Sequence, residues 1–576
     1  MCGIAVVAGG TGAIERVERM LGALTHRGPD DRGSWHSPGK DVALGQTRLS
    51  IIDLSAAGHQ PMFSADERYA LVFNGEVYNH VELRTELADY PFRSRTDTEV
   101  VLAAWVRWGA ACLDRLVGMF AFAIWDTRDN KLMAVRDRFG VKPLLLAEIP
   151  GGGIALASEF PALHAAGVPA EPDEIAWATY LDGGLYDHSA RTFWRGISSL
   201  PAGHLLTWRP GMQPEIRRWY DFAAKVGNGL DARPVEVVRE EYLALLQESV
   251  RLRFRSDVPV GINLSGGLDS SSLLALVQLV QGEDSTALAF TFATGDDRYD
   301  ELPWVREMVA RTAHPLIPCM LSSAEVPARA EQLATHLGEP YGGLPTIAYA
   351  NTFRRAREAG VIVVLDGQGM DEQWAGYDYY RKALDGPVPV VQGSTSSATR
   401  SEMLSAAMRA QVEPFTPPTP FPDQLRNIQL RDILHTKMPR ALRFNDRISM
   451  ASSVELREPF LDHRLFELAV RQPRDRKIRG ETGKWLLREI VAPLLPAALR
   501  LAPKRALQTP QREWLRGSLR AWAEGHLTVA LARCGRWFDP DVVQRTWNRF
   551  MDGEGDNSFW VWQLISVGMA APAWRS

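Results

Sequence analysis

The sequence predicts a two-part protein: an α+β half with sheet layers up to about residue 208, followed by a parallel-sheet α/β half. Three observations predict it. The first 208 residues carry short β-rich runs, turns and few helical patterns. From residue 235 onward, strand patterns alternate with helix patterns, which points to a parallel sheet with helices on both faces. Between them Pro210, Gly211, Pro214, Gly227, Gly229 and Pro234 punctuate a polar stretch that reads as a linker. The expected divisions are therefore 2–208, 209–234 and 235–576.

In the first half, residues 69–73 (Tyr-Ala-Leu-Val-Phe) form a β-rich run that ends at Asn74-Gly75, a turn dipeptide. Residues 120–125 and 131–135 are two further strands joined through 126–130. Thr96 and Glu99 fit a capping box, and Val101, Ala104, Trp105 and Trp108 follow on one apolar helical face. In the second half, 258–264 reads as a strand, Gly266-Gly267 as a turn and 271–281 as a helix. Residues 287–292 and 361–365 are further strands, the second apolar throughout. Residues 385–425 look loop-like, and 427–520 mainly helical.

Composition narrows the classes. Hydrophobic residues make up 45% and charged residues 23%, which excludes bulk disorder. Lys and Arg number 65 against 69 Asp and Glu, so the net charge of −4 argues against a nucleic-acid binder. No run of about 18 apolar residues occurs, so no membrane-spanning helix is expected. Four cysteines (Cys2, Cys112, Cys319, Cys534) are too few for a disulfide scaffold and lack metal-site spacing. With no secretory signal visible, the expected compartment is the reducing cytoplasm.

One of those cysteines stands at position 2, before Gly3. Removal of Met1 leaves Cys2 with both a thiol and an α-amine of pKa about 7.7–8.0. Such an amine can serve as general base for its own thiol. Five segments follow in order: Cys2-Gly3-Ile4, His26-Arg27-Gly28-Pro29-Asp30, Arg48-Leu49-Ser50-Ile51-Ile52-Asp53, Asn74-Gly75-Glu76-Val77-Tyr78-Asn79 and Arg95-Thr96-Asp97-Thr98-Glu99. Together they resemble the glutaminase domain of class II (N-terminal nucleophile) glutamine amidotransferases. The resemblance implies an Ntn-hydrolase αββα sandwich with Cys2 as nucleophile. It implies that the Asn74 side chain and the Gly75 N–H form the oxyanion hole. Arg48 suits the glutamine α-carboxylate as a bidentate fork. Asp97 and Glu76 suit its ammonium, and Leu49 and Ile52 complete the glutamine pocket.

The second half carries Leu264-Ser265-Gly266-Gly267-Leu268-Asp269-Ser270-Ser271-Ser272. Glycines admit backbone N–H groups to phosphate oxygens, and a helix N-terminus adds partial positive charge. There is no Gly-Lys-Ser/Thr, so this is not a Walker A loop. Hydroxyls of Ser265, Ser270 and Ser271 can donate, and Asp269 is a candidate Mg²⁺ ligand. The string resembles the loop of ATP pyrophosphatases, which cleave ATP between the α and β phosphates. That chemistry turns a carboxylate into an acyl-adenylate, which ammonia from the first half would convert to an amide. The pairing resembles glutamine-dependent asparagine synthetases along essentially the whole chain. It implies an adenine nucleotide α-hydrolase-like sheet, ATP as co-substrate, Mg²⁺, aspartate or a related carboxylate as acceptor, and a homodimer.

Further segments join the resemblance. Val364-Leu365-Asp366-Gly367-Gln368-Gly369-Met370-Asp371-Glu372 resembles the family's second signature loop, with Asp371 as the partner of Asp269 for Mg²⁺. Asp366 and Gly367 belong to the nucleotide site. The family often has Ser-Gly-Glu-Gly here, so Asp366, Gln368, Met370 and Trp374 are departures on the acceptor side. His336-Leu337-Gly338-Glu339-Pro340 resembles the segment holding a catalytic glutamate, making Glu339 the candidate base. Segments 446–451 and 455–462 resemble pocket walls. Residues 471–520 hold thirteen Lys and Arg against four Asp and Glu. Among them Lys484 matches a lysine that contacts the phosphates and the leaving pyrophosphate, with Lys504 and Arg505 as lesser candidates.

Other readings keep part of this picture. The acceptor can be a different carboxylate, on a natural product, peptide or polysaccharide sugar. An intramolecular amide former of the β-lactam synthetase kind needs no ammonia, but Cys2, Arg48, Asn74, Gly75 and Asp97 are all present. A metabolite-sensing scaffold needs neither chemistry complete. Ammonia crossing between two sites calls for a buried apolar channel.

Overall fold

The computed structural model describes residues 2–282, 285–382, 398–503, 508–555 and 557–574. Lys504 and Arg505 lie outside these, as does much of the loop-like stretch 385–425. In the strand Cys2–Ala8, Ile4, Val6 and Ala8 face one side, and Ala5 and Val7 the other. Both sides are buried, because each meets a different layer. Ile4 and Val6 pack with Ala70, Val72, Ala121 and Trp125 of a second sheet. Ala5 and Val7 pack on Val17, Met20 and Leu21 of the helix Ala13–Ala23. Beyond the second sheet, Leu71, Phe73, Phe122 and Ile124 pack on Val101, Ala104 and Trp105 of the helix Asp97–Trp108. The layers therefore run helix, sheet, sheet, helix: an αββα sandwich.

Both sheets have six strands. The first runs Ile197–Ser199, Leu145–Glu148, Ile154–Ala157, Cys2–Ala8, Val42–Arg48, Asp31–His36. The second runs Glu215–Arg218, His204–Trp208, Lys131–Arg136, Gly118–Asp126, Tyr69–Val77, Met62–Phe63. The stretch 209–234 thus carries an edge strand of the second sheet, and then the short helix Phe222–Val226.

The second half is built on five parallel strands in the order Leu316–Met320, Ala289–Ala293, Val260–Asn263, Val363–Leu365, Glu455–Arg457. Helices Val235–Arg253 and Leu268–Gln281 cover one face. Helices Val326–Leu337, Leu344–Glu358 and Phe559–Ala570 share a second core with the sheet. Glu455–Arg457 was expected to be pocket wall in a helical region. It is too short and too charged to read as a strand alone, and it is one because it pairs with Val363–Leu365.

Two local expectations change. Asn74-Gly75 is not a turn: the strand runs on to Val77, with Asn74 opposite Ala121 and Gly75 opposite Phe120. Glycine is needed for a different reason. A Cβ there would lie 2.2 Å from the Met119 carbonyl oxygen, so the neighbouring strand approaches too closely for any side chain. The capping box is half formed. Thr96 accepts from the Glu99 N–H at 3.2 Å, but the Glu99 carboxylate takes the N–H groups of Arg93 and Ser94 instead of that of the cap. The preceding loop folds back over the helix end and offers those donors first.

The halves meet through an apolar cluster. Leu49, Tyr78, Met119, Phe139 and Phe222 pack on Leu430, Leu442, Met450, Leu461 and Phe466. This cluster sets the two sites on either side of one seam.

Candidate active site

Cys2 heads the central strand of its sheet and pairs directly opposite Arg48. Its N–H donates to Asn74 Oδ1 at 2.9 Å, and its carbonyl accepts from Arg27 Nε at 3.0 Å. Burial pushes the thiol up, against the chain-terminal charge, a hydrogen bond from Leu49 and the charge of Arg48. Asn74 is fully buried, and its Nδ2 has no partner among the described residues. A buried amide donor without an acceptor, one hydrogen bond from Cys2, is the observation that most needs a ligand to explain it.

The Arg48 guanidinium is held by backbone carbonyls, Ser55 O at 2.9 Å and Asp53 O. Neutral acceptors orient the fork without neutralising it. It borders a cleft of about 690 Å³ with Ser50, Ser55 and His59 and, from the other half, Val258 and Ile362. Leu49 is buried in the same loop, and Ile52 is half-exposed. Asp97 opens its helix and accepts from the Val77 N–H at 2.9 Å. Burial raises it, with His80 opposing. Glu76 pairs with Arg457 of the second half at 3.2 Å, and its other oxygen has no hydrogen-bond partner among the described residues. Burial and Asp97 hold Glu76 well above the usual carboxylate range.

At the other site the helix starts at Leu268, three residues earlier than expected, so Asp269, Ser270 and Ser271 lie in its first turn. Ser270 Oγ accepts from the Ser265 N–H at 3.1 Å and lies 2.9 Å from Ser265 Oγ, which draws the loop tight around Gly266 and Gly267. Leu264 is buried beneath it, and Ser271 is fully buried with its hydroxyl unpartnered among the described residues. The second loop comes close. A Cβ on Gly367 would lie 3.2 Å from the Ser270 nitrogen. Asp366 accepts from Asn263 Nδ2 at 2.8 Å, and burial raises it.

Asp269 and Asp371 converge on one point. Lys484 Nζ lies 2.7 Å from both Asp269 oxygens and 2.5 Å from Asp371 Oδ1. Lys484 itself adopts φ 55°, an uncommon left-handed conformation, and its N–H donates to Trp374 O at 3.1 Å. Gly376 makes room for the pair. A Cβ there would lie 2.1 Å from both Asp371 Oδ1 and Lys484 Cε. Two carboxylates sharing one position form the all-oxygen donor set a hard divalent cation requires. Beside them, Glu372 accepts from the Tyr377 hydroxyl at 2.8 Å, and burial and Asp371 raise it to about 7.

Glu339 is buried. Its two oxygens pair with Arg443, at 3.0 Å, and with Arg447. Two guanidinium groups beside a carboxylate favour its charged form. Its buried position next to a pair of helix-borne arginines is not readable from the loop-like His-Leu-Gly-Glu-Pro segment.

Around Cys2 the seam carries buried ion pairs. Behind Cys2 lie Arg27, on Glu159 at 2.6 Å and Asp446 at 2.9 Å, and Lys142, on Asp446 at 3.2 Å. Arg457, paired with Glu455 and Glu76, closes the other side. Two cavities border the seam, one of about 20 Å³ between Tyr78, Met119, Arg253 and Glu458, and one of about 520 Å³ between Phe139, Tyr220, Leu442 and Asp446. Arg27 and Gly376 were therefore missed as site residues. Arg27 meets Glu159 and Asp446 more than a hundred positions away, and Gly376 is fixed by Lys484 as well as by nearby Asp371, so no local pattern marks either.

Glu458 yields a stability prediction. Burial raises it from its ordinary 4.5 to about 8. Its folded-state pKa exceeds the unfolded one, so the stability it contributes is complete below 4.5 and is lost as pH rises through about 8. Glu458→Gln keeps the neutral form at every pH. Its thermal midpoint is expected to fall less than that of the wild type between about pH 5 and pH 9, by a few degrees. Parallel curves from scanning calorimetry would remove this account of Glu458.

A cysteine-headed αββα half fused to a parallel-sheet half with a glycine-serine loop defines a class: glutamine-dependent amidotransferases joined to an ATP-using synthetase. Residues 1–220 match the family model for a glutamine amidotransferase domain, and residues 241–576 match that for asparagine synthase. The chain belongs to the asparagine synthase family, as an ATP-dependent, glutamine-hydrolysing amide ligase of two domains. A Mycobacterium tuberculosis protein provisionally named asparagine synthetase (glutamine-hydrolyzing) is 32% identical, over 98% of this chain and 96% of its own. Asparagine synthetase (glutamine-hydrolyzing) 1 of Bacillus subtilis is 29% identical, over 96% of this chain and 92% of its own. Amidase chyE of Penicillium rubens is 30% identical, over 88% and 86%. No helix among the described residues is long and apolar enough to cross a membrane.

Proposed function

We propose that the protein makes L-asparagine from L-aspartate, ATP and glutamine, releasing glutamate, AMP and pyrophosphate. The observation that carries this reading is the coexistence of two prepared sites: Cys2 beside the unpartnered Asn74 amide, and Asp269 and Asp371 gathered on Lys484. Arg48 holds the glutamine carboxylate, in a pocket with Leu49 and Ile52, and Asp97 with Glu76 holds its ammonium. Cys2 Sγ attacks the side-chain amide carbon, with its own α-amine, freed by loss of Met1, taking the thiol proton. The developing oxyanion is met by Asn74 Nδ2 and the Gly75 N–H. Ammonia leaves, and water later cleaves the thioester to glutamate.

At the second site the loop Ser265–Gly267 with Ser270 and Ser271 cradles the ATP phosphates, over Leu264, and Asp366 and Gly367 close the other side. The aspartate side-chain carboxylate attacks the α phosphorus, giving an acyl-adenylate and pyrophosphate. Lys484 offsets the charge on that leaving group. Asp269 and Asp371 are the residues that would hold Mg²⁺, which supplies charge neutralisation on the phosphates when bound. Ammonia then displaces AMP from the acyl carbon.

Asn74→Ala is expected to lower kcat for glutamine hydrolysis by about 10²–10³-fold, with ammonium-dependent synthesis unchanged. A variant with full glutaminase activity would remove Asn74 from the oxyanion hole. The acceptor is tested by measuring pyrophosphate release with ATP, Mg²⁺ and glutamine, with and without aspartate. Stimulation by aspartate supports the reading, and its absence refutes it.

A second reading keeps the chemistry and changes the acceptor carboxylate. Two observations favour it: Asp366, Gln368, Met370 and Trp374 stand where the family pattern differs, and two relatives carry the name amidase. A panel of carboxylates in the same assay separates the two readings.

A further inference from the structure

The seam beside Cys2 holds a cluster that neither reaction uses. His26 lies in the short turn Thr25–Arg27, and Glu159 immediately precedes the helix Phe160–Ala165. His336 comes from the other half, in the last turn of the helix Val326–Leu337. One ligand atom of each lies within 4.8 Å of the other two. His26 Nε2 and Glu159 Oε2 are 2.8 Å apart, and the two imidazole rings meet edge to face at 4.1 Å between centroids. His336 Nε2 is buried and has no hydrogen-bond partner among the described residues.

We propose that His26, Glu159 and His336 form a binding site for a borderline divalent transition metal, zinc being the type, which bridges the two domains. Two imidazoles and one carboxylate are the donor set such ions select over Mg²⁺. Bond lengths of about 2.0–2.2 Å set tetrahedral ligand atoms about 3.3–3.5 Å apart, which small side-chain rotations reach from the observed arrangement. Burial lowers His336 to about 4, so its ring is neutral and keeps a lone pair at pH 7. The nearby guanidinium groups do not need Glu159 Oε2. Arg27 has Glu159 Oε1 and Asp446, and Arg447 has Glu339. His26 is about a quarter exposed, which leaves an entry path and a fourth position for water. The ion would sit one side chain from the nucleophile, since Arg27 spans Glu159 Oε1 and the Cys2 carbonyl.

The test uses the full chain, stripped with a chelator and saturated with Mg²⁺ to cover the hard-cation sites. Zn²⁺ binding is then measured by equilibrium dialysis, and Co²⁺ binding by its visible ligand-field absorption. One ion per chain is expected, with affinity reduced at least tenfold in His336→Gln and, separately, in His26→Gln. Affinity should be unchanged in Cys2→Ala, which excludes the thiol as ligand. Absence of binding at micromolar free metal, wild-type affinity in either histidine variant, or loss in Cys2→Ala would each overturn the assignment. The metal-free thermal midpoints of the variants show whether a lost site reflects lost ligands or a lost fold, and using two separate variants keeps the result decisive.

Discussion

Cys2→Ala is expected to abolish glutamine-dependent synthesis, by about 10³-fold or more, while ammonium-dependent pyrophosphate release stays within about twofold. The first part follows from chemistry: Cys112, Cys319 and Cys534 are buried in other apolar clusters, and water is a poor nucleophile towards an amide. The second part follows from structure. Cys2 is 7% exposed, its hydrogen bonds with Asn74 and Arg27 use only backbone atoms, and the thiol itself takes one from the Leu49 backbone. Alanine keeps the bonds with Asn74 and Arg27 and removes one sulfur atom, so the strand Cys2–Ala8 and the seam behind it should persist. Paired assays with glutamine and with ammonium chloride check it. Equal loss in both would mean that the two sites are not separate, and the two-site reading would fall.

Asp269→Asn should do the reverse. Pyrophosphate release is expected to fall about 10³-fold with either nitrogen source, while glutamine hydrolysis continues. Asp269 supplies two of the three carboxylate oxygens within 2.7 Å of Lys484 Nζ. The amide removes that negative charge at almost constant shape. Lys484 is then left with Asp371 alone, and Mg²⁺ would lose half of its protein carboxylates. The glutaminase site shares no residue with this pair. Phosphate analysis of the wild type adds an independent check. Release of ADP and orthophosphate, in place of AMP and pyrophosphate, would refute adenylation altogether.

Much of the architecture was legible because local patterns and tertiary packing agree. The helix Asp97–Trp108 was read from Thr96 and from Val101, Ala104 and Trp105, and those side chains do face the second sheet. The hairpin of Gly118–Asp126 and Lys131–Arg136 was read from two apolar runs and a polar turn. The parallel strand Val363–Leu365 was read from a run too apolar to face water. Misreadings fell where a distant partner outweighs local preference. Asn74-Gly75 looks like a turn, yet full pairing with residues 120–121 keeps it extended. Glu455–Arg457 looks like part of a helical wall, yet pairing with Val363–Leu365 makes it a strand.

The sequence by itself determined which chemistries the chain carries. A cysteine at position 2, an Asn-Gly pair and a Ser-Gly-Gly-Leu-Asp-Ser-Ser loop are short, local and chemically specific, and their order separates two active halves. Only the tertiary structure decided how those halves meet. The seam is made by Arg27, Glu76 and Lys142 from one half and Asp446, Glu455 and Arg457 from the other. The physical reason lies in the cost of burying charge. A buried ion is stable only beside its counter-ion, so the identity of each partner depends on which surfaces come together. Spacing along the chain carries no record of that.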